Sequence, residues 1–369
     1  MKILQVGKLY YPWVGGVEKI VQQITEGLNN KDGFEIEVLC CQPKGEGEIE
    51  KVNGVKIFRA SSFGIFWGLP LSFNFFRLFK KLSKKADIID FHHPFPLGDI
   101  SLFLFKPKAK IILHYHSDIV RQKVFNFLVE PFINHALKNA EKIIVSNPNL
   151  IKSSPYLQKF QGKCKVIPFG VDLPKFEKFN EREVENLKKK YNDFVLFVGR
   201  LNYYKGLEYL IEAIKEIKNN LVIIGEGPLG EQLKNKVQEL GIKDKVFFLP
   251  LMEEKELVNF YRASTVFVLP SIFKSEAFGI VLIEAMACEK PVISTDLGTG
   301  TSFVNQDGIT GFVVPPGNAK ALSRAIKKIL ENKKIAKEFG QNGRKRAESE
   351  FSLKKMLERV SAVYKDLPC

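Results

Sequence analysis

The sequence predicts an α/β protein built from two doubly wound domains. Three observations predict it. Short apolar runs alternate with amphipathic stretches of helical length along the whole chain. The alternation is interrupted by the polar stretch LPKFEKFNEREVENLKKKYND, 173–193, and then begins again. A length of 369 residues also exceeds what one ordinary core organises.

Taken in order, KILQVG is the first strand, and a helix from Gly16 to Asn30 follows a glycine pair. FEIEVLC, VKIFRA, ADIIDFH, AKIILHYH, KIIVSN and CKVIPFG read as further strands of the first half. Lys106 to Lys110 makes a basic turn before the IILHYH strand. In the second half the strands are FVLFVGR, LVIIGEG, VFFLP, TVFVLP, PVIST and GFVVP, each separated by a helix-length segment. A last helix runs from about Ser352 to Tyr364. The boundary falls after Val171-Asp172, which gives a first domain of 1–174, a second of 175–351 and a terminal helix in 352–369.

The composition is that of a soluble globular chain, 45% hydrophobic and 26% charged. The opening MKILQVGKLYYPWVGG is too briefly apolar for a secretion signal, and no run reaches the roughly 18 apolar residues of a membrane span. Cys40, Cys41, Cys164, Cys288 and Cys369 form no CxxC or zinc spacing and read as reduced thiols of a cytoplasmic protein. The formal net charge is +15, and the first 175 residues hold 25 Lys and Arg against 15 Asp and Glu. Such an excess favours nucleic acid, anionic membrane or phosphorylated substrates. Nucleic acid is the weakest of these, since no zinc-finger, RNP or basic-zipper pattern occurs. The aromatic, lysine-ended segment FGIFWGLPLSFNFFRLFKKLSKK, 63–85, fits either a membrane-surface helix or a core helix with a solvated basic end.

The chemistry concentrates at strand ends. In PSIFKSEAFGIVLIEAMACEKPVIST, Glu276 and Glu284 flank the small turn Ala277-Phe278-Gly279, which opens a helix at Ile280 and Val281. Free N–H groups at a helix start suit a diphosphate, and the two carboxylates suit sugar and ribose hydroxyls. Two solvated glutamates on an ordinary βα unit are the plain alternative. Arg200 and Lys205 follow the FVLFVGR strand, where ligands of open α/β sheets bind; two fixed cations there can stabilise a leaving diphosphate, or are a pair of solvated loop cations. Gly15-Gly16 lets backbone approach a phosphate at another helix start, or is only a tight turn. His114 and His116 share a strand face. Zinc binding lacks a third ligand at motif spacing, which leaves packed or functional histidines. His92 and His93 end another strand, either as cleft wall or as polar contacts.

SEAFGIVLIEAMACEKPVI resembles the motif of retaining family-4 glycosyltransferases of the GT-B fold, and VGRLNYYKG is similar to their GR-L-x-x-x-KG word. YPWVGGVEKIVQQI and Gly225-Glu226-Gly227-Pro228 match further family turns. HHPFPLGD, HYHSDIVRQK and NPNLIKSSPYL narrow the resemblance to bacterial and archaeal O-antigen or polysaccharide mannosyl- and rhamnosyltransferases. The resemblance implies two Rossmann-like domains facing a cleft, joined at VIPFGVD, with the last helix crossing back to the first. It implies donor contacts at Gly15, Gly16, Arg200, Lys205, Gly225, Leu251, Met252, Glu276, Phe278, Gly279, Ile280, Val281 and Glu284. Leu251 and Met252 lay backbone along the base. Catalysis falls to His116, Arg200, Lys205 and Glu276, and acceptor contacts to His92, His93, Ser117 and Asp118. His114 is expected to be structural. No metal and no cofactor are expected. The co-substrate is a nucleotide sugar, GDP-linked before UDP-linked. The acceptor is a glycan or a polyprenyl-linked chain, with the enzyme cytoplasmic or peripheral on the inner membrane face. Rival readings are a sugar-nucleotide epimerase, a phosphorylase or a non-catalytic Rossmann module. A dinucleotide site is disfavoured, because GGVE lacks the G-x-G-x-x-G spacing.

Overall fold

The computed structural model describes residues 1–13, 15–66, 68–118 and 123–367, the side chains of 123–127 excepted. Cys369 and positions 119–122 of the HYHSDIVRQK stretch lie outside the described residues. The chain divides into two compact units, Met1–Phe169 with the chain from Lys354 onward, and Gly170–Leu353.

The strands of the first unit are β1 (Lys2–Val6), β2 (Glu35–Cys41), β3 (Glu48–Val52), β4 (Val55–Ala60), β5 (Ile65–Phe66), β6 (Leu69–Pro70), β7 (Ile88–His93), β8 (Lys110–Tyr115), β9 (Lys142–Val145) and β10 (Cys164–Val166). Its main sheet runs β10-β9-β8-β7-β1-β2-β4-β3, and every pair is parallel except β3 with β4. Strands buried on both faces need nearly continuous apolar runs, which is why VLCC and IIV lie where they do, and Gln5 is a buried polar interruption of ILQV. The helix Gly16–Leu28 places Ile20, Val21, Ile24 and Leu28 on one buried stripe. The chain's last helix, Leu353–Lys365, also buries a stripe, Met356, Val360, Val363 and Tyr364. Tyr364 meets Phe34 edge-on at 5.5 Å, and Ser361 donates to Asp32 at 2.8 Å.

The second unit holds β11 (Phe194–Val198), β12 (Asn220–Ile224), β13 (Val246–Leu249), β14 (Val266–Leu269), β15 (Val292–Thr295) and β16 (Gly311–Val314). Their order is β13-β12-β11-β14-β15-β16, all parallel, the 3-2-1-4-5-6 pattern of a Rossmann sheet. All residues of β11 and β14 are buried, so these two strands form the middle of the core.

One expectation is corrected. The segment 63–85 is not the single helix that both readings of it supposed. Gly64 and Gly68 adopt positive φ, Pro70 ends the small β5–β6 hairpin, and helix begins only at Asn74. Ser72 Oγ accepts the Phe75 N–H at 3.0 Å at that start. The helix Asn74–Leu82 turns Phe75, Phe79 and Leu82 into the core, with Phe75 at 5.0 Å from Phe95. The exposed aromatics, Phe63, Phe66 and Phe73, precede it, and Lys80, Lys81, Lys84 and Lys85 remain on its solvent side. Among the described residues no helix is long and apolar enough to cross a membrane.

Candidate active site

In the second unit the sheet order reverses between β11 and β14. The crevice outside the carboxyl ends of two such strands is where open α/β sheets bind ligands. Arg200 and Lys205 follow β11, and Glu276 follows β14. Gly206 has φ +63°, and a Cβ there would lie 2.3 Å from Pro270 O, so only glycine lets the two loops come together. That approach brings Lys205 Nζ to 2.6 Å from Glu276 Oε2, and both residues are buried. Ser271 Oγ donates to the same carboxylate oxygen at 3.0 Å. Burial works against the Lys205 charge, but the adjacent Glu276 outweighs it and holds the pKa above the ordinary lysine value. Thr299 Oγ1 donates to Glu276 O at 2.8 Å, and the Gly300 N–H to Ala277 O at 2.9 Å, which braces the loop. Arg200 is exposed and pairs with no carboxylate among the described residues.

Gly279 caps the helix Ile280–Ala287 with φ +81°, a conformation that suits glycine. Phe278 is buried, and Ile280 and Val281 are half-buried. Glu284 lies one turn in, buried, and accepts a 2.9 Å bond from Tyr261 Oη on the helix Glu254–Ala263. Burial first, and then the Glu284 carboxylate, raise the Tyr261 pKa far above its usual value, so the phenol remains a donor. Gly225 packs against the backbone of Gly199, where a Cβ would lie 2.2 Å from its carbonyl oxygen. Leu251 is exposed and Met252 half-buried beside an open cavity of about 760 Å³, lined also by Asn180, Glu183, Asn259 and Phe260.

In the first unit, Gly15 is extended and Gly16 starts its helix. Glu18 folds back over that turn, since a Cβ on Gly15 would lie 2.1 Å from its Oε2, and Lys8 Nζ is 3.7 Å from Glu18 Oε1. The neighbouring strand ends hold four of the chain's five histidines. Parallel pairing sets Gln5 beside Asp90 and His92 beside His114. Strand alternation puts Asp90 with His92, and His114 with His116, on shared faces. Gln5 Nε2 donates to Asp90 Oδ2 at 3.0 Å and to Tyr364 Oη at 2.9 Å, and Tyr364 Oη donates to Asp90 Oδ2. His92 Nε2 is 2.8 Å from Gln5 Oε1, and His92 Nδ1 is 2.9 Å from His116 Nε2. Burial, then His114, hold the pKa values of His92 and His116 well below the ordinary histidine value.

Asp90, His92 and His114 offer ligand atoms that all lie within 4.8 Å of one another. Asp90 is therefore the third ligand type that motif spacing did not reveal. Its Oδ2 already accepts from Gln5 and Tyr364, while its buried Oδ1 has no hydrogen-bond partner among the described residues. His114 Nε2 lies 3.1 Å from the same oxygen without hydrogen-bond alignment. His93, expected as an acceptor contact or as cleft wall, lies in a packed surrounding. Its Nδ1 is 3.3 Å from Asp99 Oδ2, its ring stacks on Tyr115 at 4.7 Å, and the residue is fully buried. Asp118 Oδ1 accepts from Tyr115 Oη and, at 2.6 Å, from Ser154 Oγ. Ser117 is half-buried beside it. Sequence reasoning missed Gln5, Asp90, Tyr261, Ser271 and Tyr364. Only Asp90 carried a signal, its place two residues before His92 on one strand.

Comparison with known proteins agrees with these folds. Residues 177–346 match the family model for glycosyl transferases group 1, and residues 14–175 that for glycosyltransferase family 4. The chain is 34% identical to the O-antigen chain mannosyltransferase C of Escherichia coli over 100% of its own length and 99% of the relative's. It is 32% identical to the D-rhamnosyltransferase WbpZ of Pseudomonas aeruginosa, covering 95% of this chain and 92% of that one. Among solved structures, the sucrose-phosphate synthase of Thermosynechococcus elongatus superposes with a TM-score of 0.82 at 24% identity, covering 99% of this chain and 98% of that one. Anabaena HepE in complex with UDP gives 0.80 at 19% identity over 100% of both chains.

Proposed function

The chain belongs to the group 1 glycosyltransferases of GT-B fold, and from that premise we propose a specific reaction: retaining transfer of a hexose, mannose first, from a GDP-linked donor to a glycan or polyprenyl-linked acceptor in O-antigen or related polysaccharide synthesis. The observation that carries the reading is the buried Lys205–Glu276 pair at the end of β11 and β14. In the free enzyme the two charges neutralise each other. The donor separates them: diphosphate oxygens take Lys205, and sugar hydroxyls take Glu276. Arg200 and the N–H groups opening the helix Ile280–Ala287 add positive charge where the leaving group becomes more negative. Glu284 holds the ribose, and the loop at Leu251 and Met252 the base. The bond from anomeric carbon to phosphate oxygen breaks, and the acceptor oxygen bonds on the same face. The leaving phosphate takes the acceptor proton, so no protein nucleophile and no metal enter. The sugar is supported by the mannosyl- and rhamnosyltransferase relatives.

The test is binding followed by transfer. GDP-mannose is expected to raise the thermal midpoint, as a ligand at 100 times its Kd adds about 2.7 kcal/mol to the folded state. UDP- and ADP-sugars are the controls, and transfer is expected to be undiminished in EDTA. A response confined to UDP-sugars would reassign the base. Activity lost in EDTA and restored by Mg²⁺ or Mn²⁺ would overturn the metal-free mechanism.

The same proposal places the enzyme against an anionic membrane on its cytoplasmic face. Supporting this, Phe63, Phe66, Leu71 and Phe73 are exposed in one short stretch, and exposed Lys80, Lys81, Lys84 and Lys85 follow it. Each basic residue near such a surface contributes about 1 kcal/mol, screened over roughly 8–10 Å. Binding to anionic liposomes should fall as salt rises, and neutral liposomes should bind poorly. Changing the four lysines to Ser should weaken binding and leave transfer to a soluble acceptor analogue intact. A wild type indifferent to anionic liposomes at low salt would remove the membrane from the account.

A further inference from the structure

The hydrogen bonds around His92 fix where protons reside. A carboxylate oxygen only accepts, so the Gln5 amide nitrogen must face Asp90, and Gln5 Oε1 must face His92. His92 Nε2 then has to donate to Gln5. A neutral imidazole with its proton on Nε2 has a bare Nδ1, so His116 Nε2 has to donate to His92. His116 consequently carries its own proton on Nε2. Its Nδ1 makes no hydrogen bond among the described residues. The His116 ring lies within 11° of the His92 plane, as that in-plane bond requires, and Phe169 sits tilted at 5.5 Å from it. Lys8, His93 and His114 supply the charged and titratable neighbourhood.

We infer that Gln5 and His92 are positioning residues that hold His116 in the Nε2–H tautomer, so that its Nδ1 is an obligate acceptor for a substrate hydroxyl. Asp90 and Tyr364 set the orientation of Gln5, and with it the direction of the whole relay. The inference rests on reading His116 as a residue beside the reacting sugar. In that place it selects a hydroxyl that donates, and it refuses a carbonyl or ether oxygen, because two acceptors do not bond.

The experiment uses the full chain, nitrogen-labelled, with NMR of its histidine rings. Only His135 lies outside the cluster, so few signals need assignment. Wild-type His116 is expected to show a protonated Nε2 and a bare Nδ1. His92→Phe removes the acceptor, so His116 should become a mixture of tautomers. Its kcat should fall about tenfold, the worth of one oriented hydrogen bond, with donor KM little changed. Gln5→Met should give the same spectral change in weaker form, and it serves if His92→Phe does not fold. A wild-type His116 protonated on Nδ1 overturns the relay. So does a folded His92→Phe with unchanged tautomer and unchanged kcat. His116→Ala with full transfer, alongside the expected wild-type spectrum, would leave the relay standing and sink only the placement of His116 beside the sugar.

Discussion

Lys205→Ala is expected to lower kcat by roughly 10²- to 10³-fold, the usual effect of removing one preorganised group that faces developing negative charge. Donor affinity should fall much less, because the charge on the diphosphate grows chiefly as the sugar leaves. The variant has a second consequence. Glu276 would be left buried without its cation, and breaking one side of a buried pair costs about 3–5 kcal/mol of stability. The two effects separate in the double variant Lys205→Ala, Glu276→Gln. A neutral amide beside Ser271 restores much of the stability and none of the turnover. Arg200 is exposed and unpaired with any described carboxylate, so Arg200→Ala should reduce turnover without destabilising. Raised KM with intact kcat in the Lys205 variant would confine the lysine to ground-state binding.

Glu284→Ala should weaken donor binding by about ten- to hundredfold, since hydrogen bonds to a charged group are worth roughly 1.5–3 kcal/mol. Calorimetry with the bare nucleoside diphosphate isolates the effect, because the ribose is present and the sugar is not. Tyr261→Phe supplies a graded control. It leaves the carboxylate in place and removes the 2.9 Å bond that aims it, so a smaller loss in the same direction is expected. Unchanged affinity in a folded Glu284→Ala would remove this glutamate from the ribose.

The places of Glu276, Glu284, Arg200 and Lys205 at strand ends and a helix start were legible in the sequence, because a strand, a glycine turn and a helix start are local features with local spelling, whereas their roles were read from the family resemblance. The thirteen apolar strands were legible in the same local way. What escaped notice did so for physical reasons. The edge strand β3, EIEKV, is mostly exposed, and no run of apolar residues marks it. Residues 63–85 spell an amphipathic helix in composition, but Gly64, Gly68 and Pro70 divide the segment before it can form one. Tyr261 reads as an ordinary core aromatic of its helix, and nothing near it in sequence announces Glu284. The histidine relay needs β1, β7, β8 and the terminal helix at once. Gln5 and His92 are 87 positions apart, and Gln5 and Tyr364 are 359 apart. Alternation along one strand could pair Asp90 with His92, but no local pattern could supply their distant partners.

The return of the last helix to the first unit reverses the ordinary timetable of synthesis. N-terminal domains generally fold first, as the nascent chain leaves the ribosome. Here Asp90 waits for a hydroxyl 274 residues downstream. All of Gly170–Leu353 is made before the final stripe of Met356, Val360, Val363 and Tyr364 can be laid down. Until then the first unit has an open apolar seam and a buried aspartate held by Gln5 alone, a liability in a crowded cell. The second unit, whose segment is continuous, is free to finish early. The half made first is therefore completed last, and a ribosome that stalls within the final helix would release a chain with a finished second unit and an unsealed first one.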